Sequence, residues 1–295
     1  MPDFPIIDTH VHLANPSRLG YAWMKRIAPS LKRSVLPADL KNTAVPTVVE
    51  GFVFVEVDVD PGDEMAEAEW VDSLAGNQSA GEPKLRGTVA SLPLERGESV
   101  EADLEKLVGL KSLRGIRRLI QGQPDPEFCF RPDFINGLKL LAPRNLVFDI
   151  CVFHHQLPNV IRMVRACPEV RFILDHIGKP AIKAGEMEPW RQNMTELARC
   201  ENVWCKISGV VTEADHKTWT RGQVRPYIEH AIDAFGFNRV MFGGDWHVLE
   251  LAGTYPGWIE VLDWVVAAAS PADKLKLYRE NAVAFYGLDR QRLGV

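Results

Sequence analysis

The sequence predicts an α/β protein: a single (β/α)8 barrel, a TIM barrel, spanning 1–295 as one domain with an inserted loop after its first strand. Three observations carry this. Eight short runs rich in β-branched and aromatic residues can be marked, at 6–13, 51–59, 85–94, 113–120, 146–153, 170–177, 202–211 and 239–246. Between most of them lies a stretch with helical spacing, and strand followed by helix repeated through a chain of 295 residues suits a barrel of about 250 residues with an insertion. The reactive side chains also gather at the C-terminal ends of the strands, where barrel enzymes carry their chemistry.

Composition narrows the partners. The chain is 46% hydrophobic and 25% charged, ordinary for a soluble globular protein, and its net charge of −5 leaves no basic excess to neutralise the phosphates of a nucleic acid. A small metabolite is the simpler partner. The start, Met1-Pro2-Asp3-Phe4, shows no basic region or long apolar run of a leader, and no stretch approaches 18 uninterrupted apolar residues, so a cytoplasmic protein without a membrane span is expected. The five cysteines are odd in number and lack paired Cys-x-x-Cys spacing, which predicts reduced thiols. A homo-oligomer is left open.

The first strand runs straight into His10-Val11-His12. In an extended chain side chains alternate between faces, so the two imidazoles point the same way, about 7 Å apart, and can reach one ion. The following connection, 14–50, carries Pro16, Pro29, Pro37 and Pro46 with Tyr21, Trp23 and Met24. Its place after strand one predicts a cover over the active-site face. Glu56 and Asp58 end strand two, and Glu56 is a second metal ligand, a base, or a carboxylate that only bonds a loop. Strand three offers nothing reactive. In strand four Arg117 shares a face with Gly115 and points into the barrel, where it can bind a carboxylate, carbonyl or hydroxyl. His154 and His155 follow strand five, and strand parity lets only one face inward. His176 ends strand six, with Asp175 expected on the outward face. Asp245 ends strand eight, next to Trp246, which either stacks on a sugar ring or packs. Asp8 is read as orienting a histidine or capping the strand, Arg118 and Lys179 as salt-bridged, and His230 as structural. From 254 onward two last helices are expected, and the residues after Arg290 are expected to fray.

Several of these stretches together resemble a known family. Asp-Thr-His-Val-His-Leu at 8–13, Gly-Ile-Arg-Arg at 115–118, Leu-Asp-His-Ile-Gly-Lys-Pro at 174–180, Cys-Lys-Ile-Ser-Gly-Val-Val-Thr-Glu-Ala-Asp at 205–215 and Phe-Gly-Gly-Asp-Trp at 242–246 are similar to the amidohydrolase superfamily, in its branch of sugar-acid lactonases. The resemblance spans nearly the whole chain. It implies a barrel that hydrolyses a lactone ring, with His10 and His12 matching the strand-one metal pair, His176 the strand-six histidine and Asp245 the strand-eight aspartate. The sequence departs from the pattern at Gly244 and His247, where Gly-Ser-Asp-Trp-Pro is more usual, and at His154-His155, where Arg and Pro are frequent. Both departures alter the mouth of the site.

Lactone hydrolysis needs a nucleophilic hydroxide at neutral pH, and a divalent metal lowers the pKa of bound water from 15.7 to about 7. His10, His12 and Asp245 would give three protein ligands with an open position, as in a catalytic zinc site, with Glu56 as a further candidate. One divalent ion, zinc first, is therefore the expected cofactor. Asp245 would also accept the water proton and return it to the ring oxygen, with His176 against the carbonyl oxygen or hydroxyls and Arg117, His154 and Trp246 around the substrate. The alternatives are a metal-dependent decarboxylase of the same superfamily and a metal-independent lactonase.

Overall fold

The computed structural model describes residues 1–288. Eight parallel strands pair in chain order, β1 (Ile6–Val11), β2 (Val49–Val55), β3 (Lys84–Ser91), β4 (Leu113–Arg117), β5 (Val147–Ile150), β6 (Arg171–Leu174), β7 (Val203–Ile207) and β8 (Val240–Phe242). A parallel bridge from Val11 to Trp246, with the His12 amide donating to the Trp246 carbonyl at 2.6 Å, brings the end of β8 back to β1 and nearly closes the barrel. The strands are short apolar runs because both faces are covered. Every expected run overlaps one, but β2 to β8 each stop three or four residues earlier than the patterning suggests. The surplus residues form the tight turns that carry the site.

Helices α1 (Ala22–Ile27) and α2 (Pro37–Ala44) lie in the insertion, and α3 (Glu64–Leu74), α4 (Glu101–Val108), α5 (Pro132–Lys139), α6 (Leu157–Ala166), α7 (Trp190–Ala198) and α8 (Arg221–Phe235) follow between strands. The chain ends in α9 (Tyr255–Val265), α10 (Pro271–Leu275), a π-helical turn at Lys276–Glu280, and α11 (Asn281–Tyr286). Thr254 caps α9 by accepting from the Gly257 amide at 3.2 Å, with Pro256 in the first turn where no amide hydrogen is needed. The expected fraying after Arg290 lies outside the described residues. No helix among those described is long and apolar enough to cross a membrane, and all five cysteines are unpaired.

The floor of the barrel is apolar. Ile7, Val53, Val55, Val89, Val147, Ile173 and Met241 pack together and are sealed from below by Phe285 and Tyr286. Each such side chain, fully buried, is worth roughly 1.5–3 kcal/mol. Above this floor the parity of the strands delivers charge: Asp149 stands two residues after Val147, and Lys206 two after Trp204. The insertion is tied down on two sides of the mouth. Trp23 Nε1 donates to the Val57 carbonyl at 2.8 Å beyond β2, and Arg33 pairs with Glu250 at 2.8 Å beyond β8.

Candidate active site

His10 and His12 leave the end of β1 toward the barrel interior, where their Nε2 atoms approach to 3.2 Å. Pairing of β1 with β2 is irregular between Asp8 and Val11, which lets Ile7 join the apolar floor while His10 turns inward above it. His12 Nδ1 stands 2.8 Å from the Val55 carbonyl, a pure acceptor, so Nδ1 is the donor there and Nε2 is the nitrogen turned toward His10 and Asp245. His10 Nδ1 faces Asp175 Oδ1 at 3.4 Å and Lys206 Nζ at 3.3 Å. Asp8 holds this end in register, accepting from the amides of His10 at 2.9 Å and Gly244 at 2.8 Å and from the Tyr255 hydroxyl at 2.8 Å. Its oxygens are engaged by two backbone amides and one hydroxyl.

Asp245, immediately beyond β8, adopts a left-handed backbone conformation (φ 53°) that aims its carboxylate across the mouth. Oδ1 lies 3.4 Å from His12 Nε2 and 3.8 Å from His10 Nε2, and Oδ2 lies 4.0 Å from His176 Nδ1. His176 comes from another left-handed turn, at the end of β6, and its Nδ1 bonds Ser208 Oγ at 3.0 Å. Gly209 makes this crowding feasible: its φ is +57°, and a Cβ there would sit 2.4 Å from His176 Nδ1 and 3.0 Å from Asp245 Oδ2.

Electrostatics sets the protonation states. Burial, reinforced by Lys206 and His12, pushes His10 well below the usual imidazole pKa, and burial does the same to His176. Burial works against the charge of Asp245, yet His176 and His12 hold its pKa below the ordinary carboxylate value. Two neutral imidazoles beside an ionised carboxylate are in the state a metal requires of its ligands. The geometry fits as well. Bonds of 2.0–2.1 Å to a tetrahedral ion place neighbouring donors about 3.3 Å apart, against 3.2, 3.4 and 3.8 Å among His10, His12 and Asp245. His176 adds a further donor, since His10, His176 and Asp245 each bring a ligand atom within 4.8 Å of the others.

Other expectations need correction. Glu56 is not part of this cluster: Oε1 accepts from Arg117 Nε at 2.6 Å and Oε2 from the Asp58 amide at 2.7 Å. Arg117 does point inward, but it is buried and spends its donors on Glu56 and on Asp175 Oδ2 at 3.3 Å, so it braces the site from below rather than reaching a substrate. Burial opposes its charge, and Glu56 outweighs that, holding its pKa above the ordinary value. Trp246 is fully buried with its indole N–H donated to Glu250 at 3.0 Å, which makes it a packing residue rather than a stacking surface. Asp175 is the largest surprise. Instead of facing outward it is fully buried, 3.0 Å from Lys206 Nζ and 3.3 Å from Arg117 Nη1. His154 and His155 occupy a 3-10 turn, His154–Gln156, where strand parity does not apply, and His154 is the more buried of the two.

Beneath the histidines lies an ionic layer that pattern reading missed. Lys206 Nζ is fully buried between Asp149 at 2.5 Å and Asp175 at 3.0 Å, and the Tyr286 hydroxyl donates to Asp149 at 3.2 Å. The available signal was a lysine in the apolar strand Val-Trp-Cys-Lys-Ile and an aspartate in Val-Phe-Asp-Ile, charges that a strand covered on both faces can only accommodate as a pair. Cys151, Asp175 and His176 also converge within 4.8 Å, but Asp175 is ion-paired with two cations and burial pushes the Cys151 thiol up to about 11, which disfavours a metal there.

The chain is similar to known proteins over most of its length. A family model described as "Amidohydrolase" matches residues 7–288. A protein named L-fucono-1,5-lactonase from Burkholderia ambifaria is 30% identical over 290 residues, covering 96% of this chain and 96% of its own. One of the same name from Burkholderia multivorans is 35% identical over 190 residues, 60% of this chain and 63% of its own. Among solved structures, an amidohydrolase from Burkholderia multivorans crystallised with bound zinc superposes with a TM-score of 0.83 at 27% identity, covering 96% of this chain and 99% of that one.

Proposed function

This chain belongs to the amidohydrolase family, and from that premise we propose that it is a lactonase, opening the ring of a small sugar-acid lactone to the free aldonate with the help of one divalent metal, zinc first. The observation that carries this reading is the set of acceptors at the mouth. His10 Nε2, His12 Nε2 and Asp245 Oδ1 surround one point at 3.2, 3.4 and 3.8 Å from one another. These three residues would hold the ion, with His176 beside it. When bound, the ion supplies Lewis acidity, drawing the pKa of a water toward neutrality.

The chain's own residues do the rest. Asp245, ionised and aimed across the mouth, takes a proton from the attacking water as its oxygen bonds to the carbonyl carbon. The ring C–O bond then breaks, and Asp245 returns that proton to the departing oxygen. His176, steadied by Ser208, lies against the carbonyl or hydroxyl oxygens. His154, half-buried in the turn after β5, faces the substrate, and the insertion at 14–50 excludes bulk water.

A pH-indicator assay against a panel of aldonolactones tests the reading, because ring opening releases a proton. Stereospecific turnover that falls on chelation and returns with zinc is the expected result. Turnover that persists in metal-free protein would make it a metal-independent lactonase, and carbon dioxide release from a carboxylated substrate without lactone turnover would make it a decarboxylase.

A further inference from the structure

Lys179 belongs neither to the ionic layer nor to the cluster of His10, His12 and Asp245, yet it sits on the turn that carries His176. It closes a run of four left-handed residues: His176 (φ 55°), Ile177 (φ 49°), Gly178 (φ 71°) and Lys179 itself (φ 47°). Only glycine adopts this region without strain, so three side chains in a row of four are held against their preference. The turn delivers two of them, His176 and Lys179, to the barrel mouth.

The ammonium is poorly matched where it stands. The side chain is 17% exposed, and Nζ lies 3.8 Å from Glu213 Oε1, beyond hydrogen-bond range, and 5.8 Å over the Phe153 ring. Glu213 follows β7 and Phe153 follows β5, so Nζ is bracketed by the two strand ends that flank His176. Burial opposes the lysine charge, but Glu213 and Asp245 are among the groups that outweigh it, so it stays protonated. Its field in turn contributes to lowering the pKa of His10, His176 and Asp245. A largely desolvated ammonium tethered by one distant carboxylate retains its donors for something else.

We propose that Lys179 is a catalytic residue of this site, its ammonium donating to the lactone carbonyl oxygen as negative charge develops there. The inference rests on the lactonase reading. As the water oxygen bonds to the carbonyl carbon and its proton passes to Asp245, the carbonyl π pair moves onto oxygen and meets the Lys179 ammonium. Collapse returns that pair to the C=O bond, the ring C–O bond breaks, and Asp245 protonates the departing oxygen. Lysine begins and ends protonated. Glu213, at its 3.8 Å separation, keeps Nζ at the mouth without saturating it.

The test uses the metal-loaded enzyme and the aldonolactone that the parent opens fastest, comparing Lys179→Met, Lys179→Arg and Glu213→Gln, with metal content and thermal midpoint measured for each. Lys179→Met should lower kcat by roughly 10²-fold, the usual loss for one oxyanion donor, with metal content unchanged. Lys179→Arg should recover at least about a tenth of the parent rate, because it restores a donor, and Glu213→Gln should lose less than about tenfold, because the donor remains. If Lys179→Met does not fold, Lys179→Gln takes its place. Parent enzyme that opens no lactone overturns the lactonase reading and this inference with it. An active parent whose Lys179→Met variant keeps kcat within about threefold, or loses no more than Glu213→Gln, overturns the role of Lys179 alone.

Discussion

Two layers of polar side chains fill the upper barrel, and they are wired in opposite ways. In the lower one every carboxylate meets a cation of the chain: Asp149 and Asp175 flank Lys206 at 2.5 and 3.0 Å, and Glu56 and Asp175 flank Arg117 at 2.6 and 3.3 Å. In the upper one two ring nitrogens face a carboxylate oxygen, with His10 Nε2, His12 Nε2 and Asp245 Oδ1 converging and Arg117 Nη1 at a long 3.5 Å from His10 Nε2. The lower layer has its carboxylates ion-paired within the folded chain, whereas the upper one asks for a cation or a proton from outside. Stability should therefore reside below and chemistry above.

The sharpest way to break this contrast is to unbalance the lower layer. Burial alone would raise the pKa of Asp175, but Lys206, His176 and Arg117 hold it below 3.8, so the carboxylate is needed as an anion. Asp175→Asn should cost about 3–5 kcal/mol, the usual penalty for leaving a buried charge uncompensated, read as a lower denaturant midpoint. A loss under about 1 kcal/mol would show that the layer is not the keystone described. Next in size is Asp245→Asn, which keeps the shape but removes the base. It should lower kcat by roughly 10²-fold or more while leaving the unfolding midpoint near the parent value, with metal content measured in the same sample. The contrast fails if this variant folds, keeps its metal and turns over lactone at the parent rate.

The two layers also differed in how far the sequence revealed them. His10 and His12 were legible because a strand has a fixed parity and two imidazoles on one face announce themselves. The strands and the helix Glu64–Leu74 were legible because apolar periodicity is strong where both faces of a sheet are covered. Asp175 was misread because parity was counted from His176, yet the strand ends at Leu174 and the backbone then turns left-handed, so Asp175 and His176 both reach the interior. An early strand end likewise dissolves the choice between His154 and His155, which sit on a 3-10 turn, whereas Lys179 is salt-bridged to Glu213 as read. Arg117 points inward as read, but a buried arginine and the Glu56 carboxylate within its reach bind each other before they bind anything else.

A comparison of pH dependence adds a further test, because two fully buried aspartates, Asp8 and Asp175, shift in opposite directions. Burial pushes Asp8 up to about 6 from 3.8, only partly offset by the Gly244 and His10 amides, whereas Asp175 is held down by its cations. A carboxyl whose folded pKa is raised favours folding fully below its unfolded pKa and loses that contribution as pH rises through its folded value. The thermal midpoint of the metal-free parent relative to Asp8→Asn should thus be highest near pH 4 and decline until about pH 6 or 7. A difference that grows over that interval would mean that the amide and hydroxyl donors keep Asp8 ionised.

The smallest effect, and the most specific, comes from deleting one hydroxyl in each layer. Tyr286 donates to Asp149 at 3.2 and 3.3 Å below, and Tyr255 donates to Asp8 at 2.8 Å above. Tyr286→Phe removes a long, shared bond from a carboxylate that keeps Lys206, so it should cost about 1 kcal/mol and leave kcat within about twofold. Tyr255→Phe should cost a similar amount in stability, on the order of 1–2 kcal/mol, but Asp8 also holds the Gly244 amide, one residue before Asp245. Loosening that tether lets the Asp245 carboxylate drift, and since a displacement of about 1 Å can cost up to 10²-fold in rate, kcat should fall by at least about threefold. Chemical denaturation and steady-state kinetics on the two variants separate the layers: equal losses of kcat would mean that the division between support and chemistry is drawn in the wrong place.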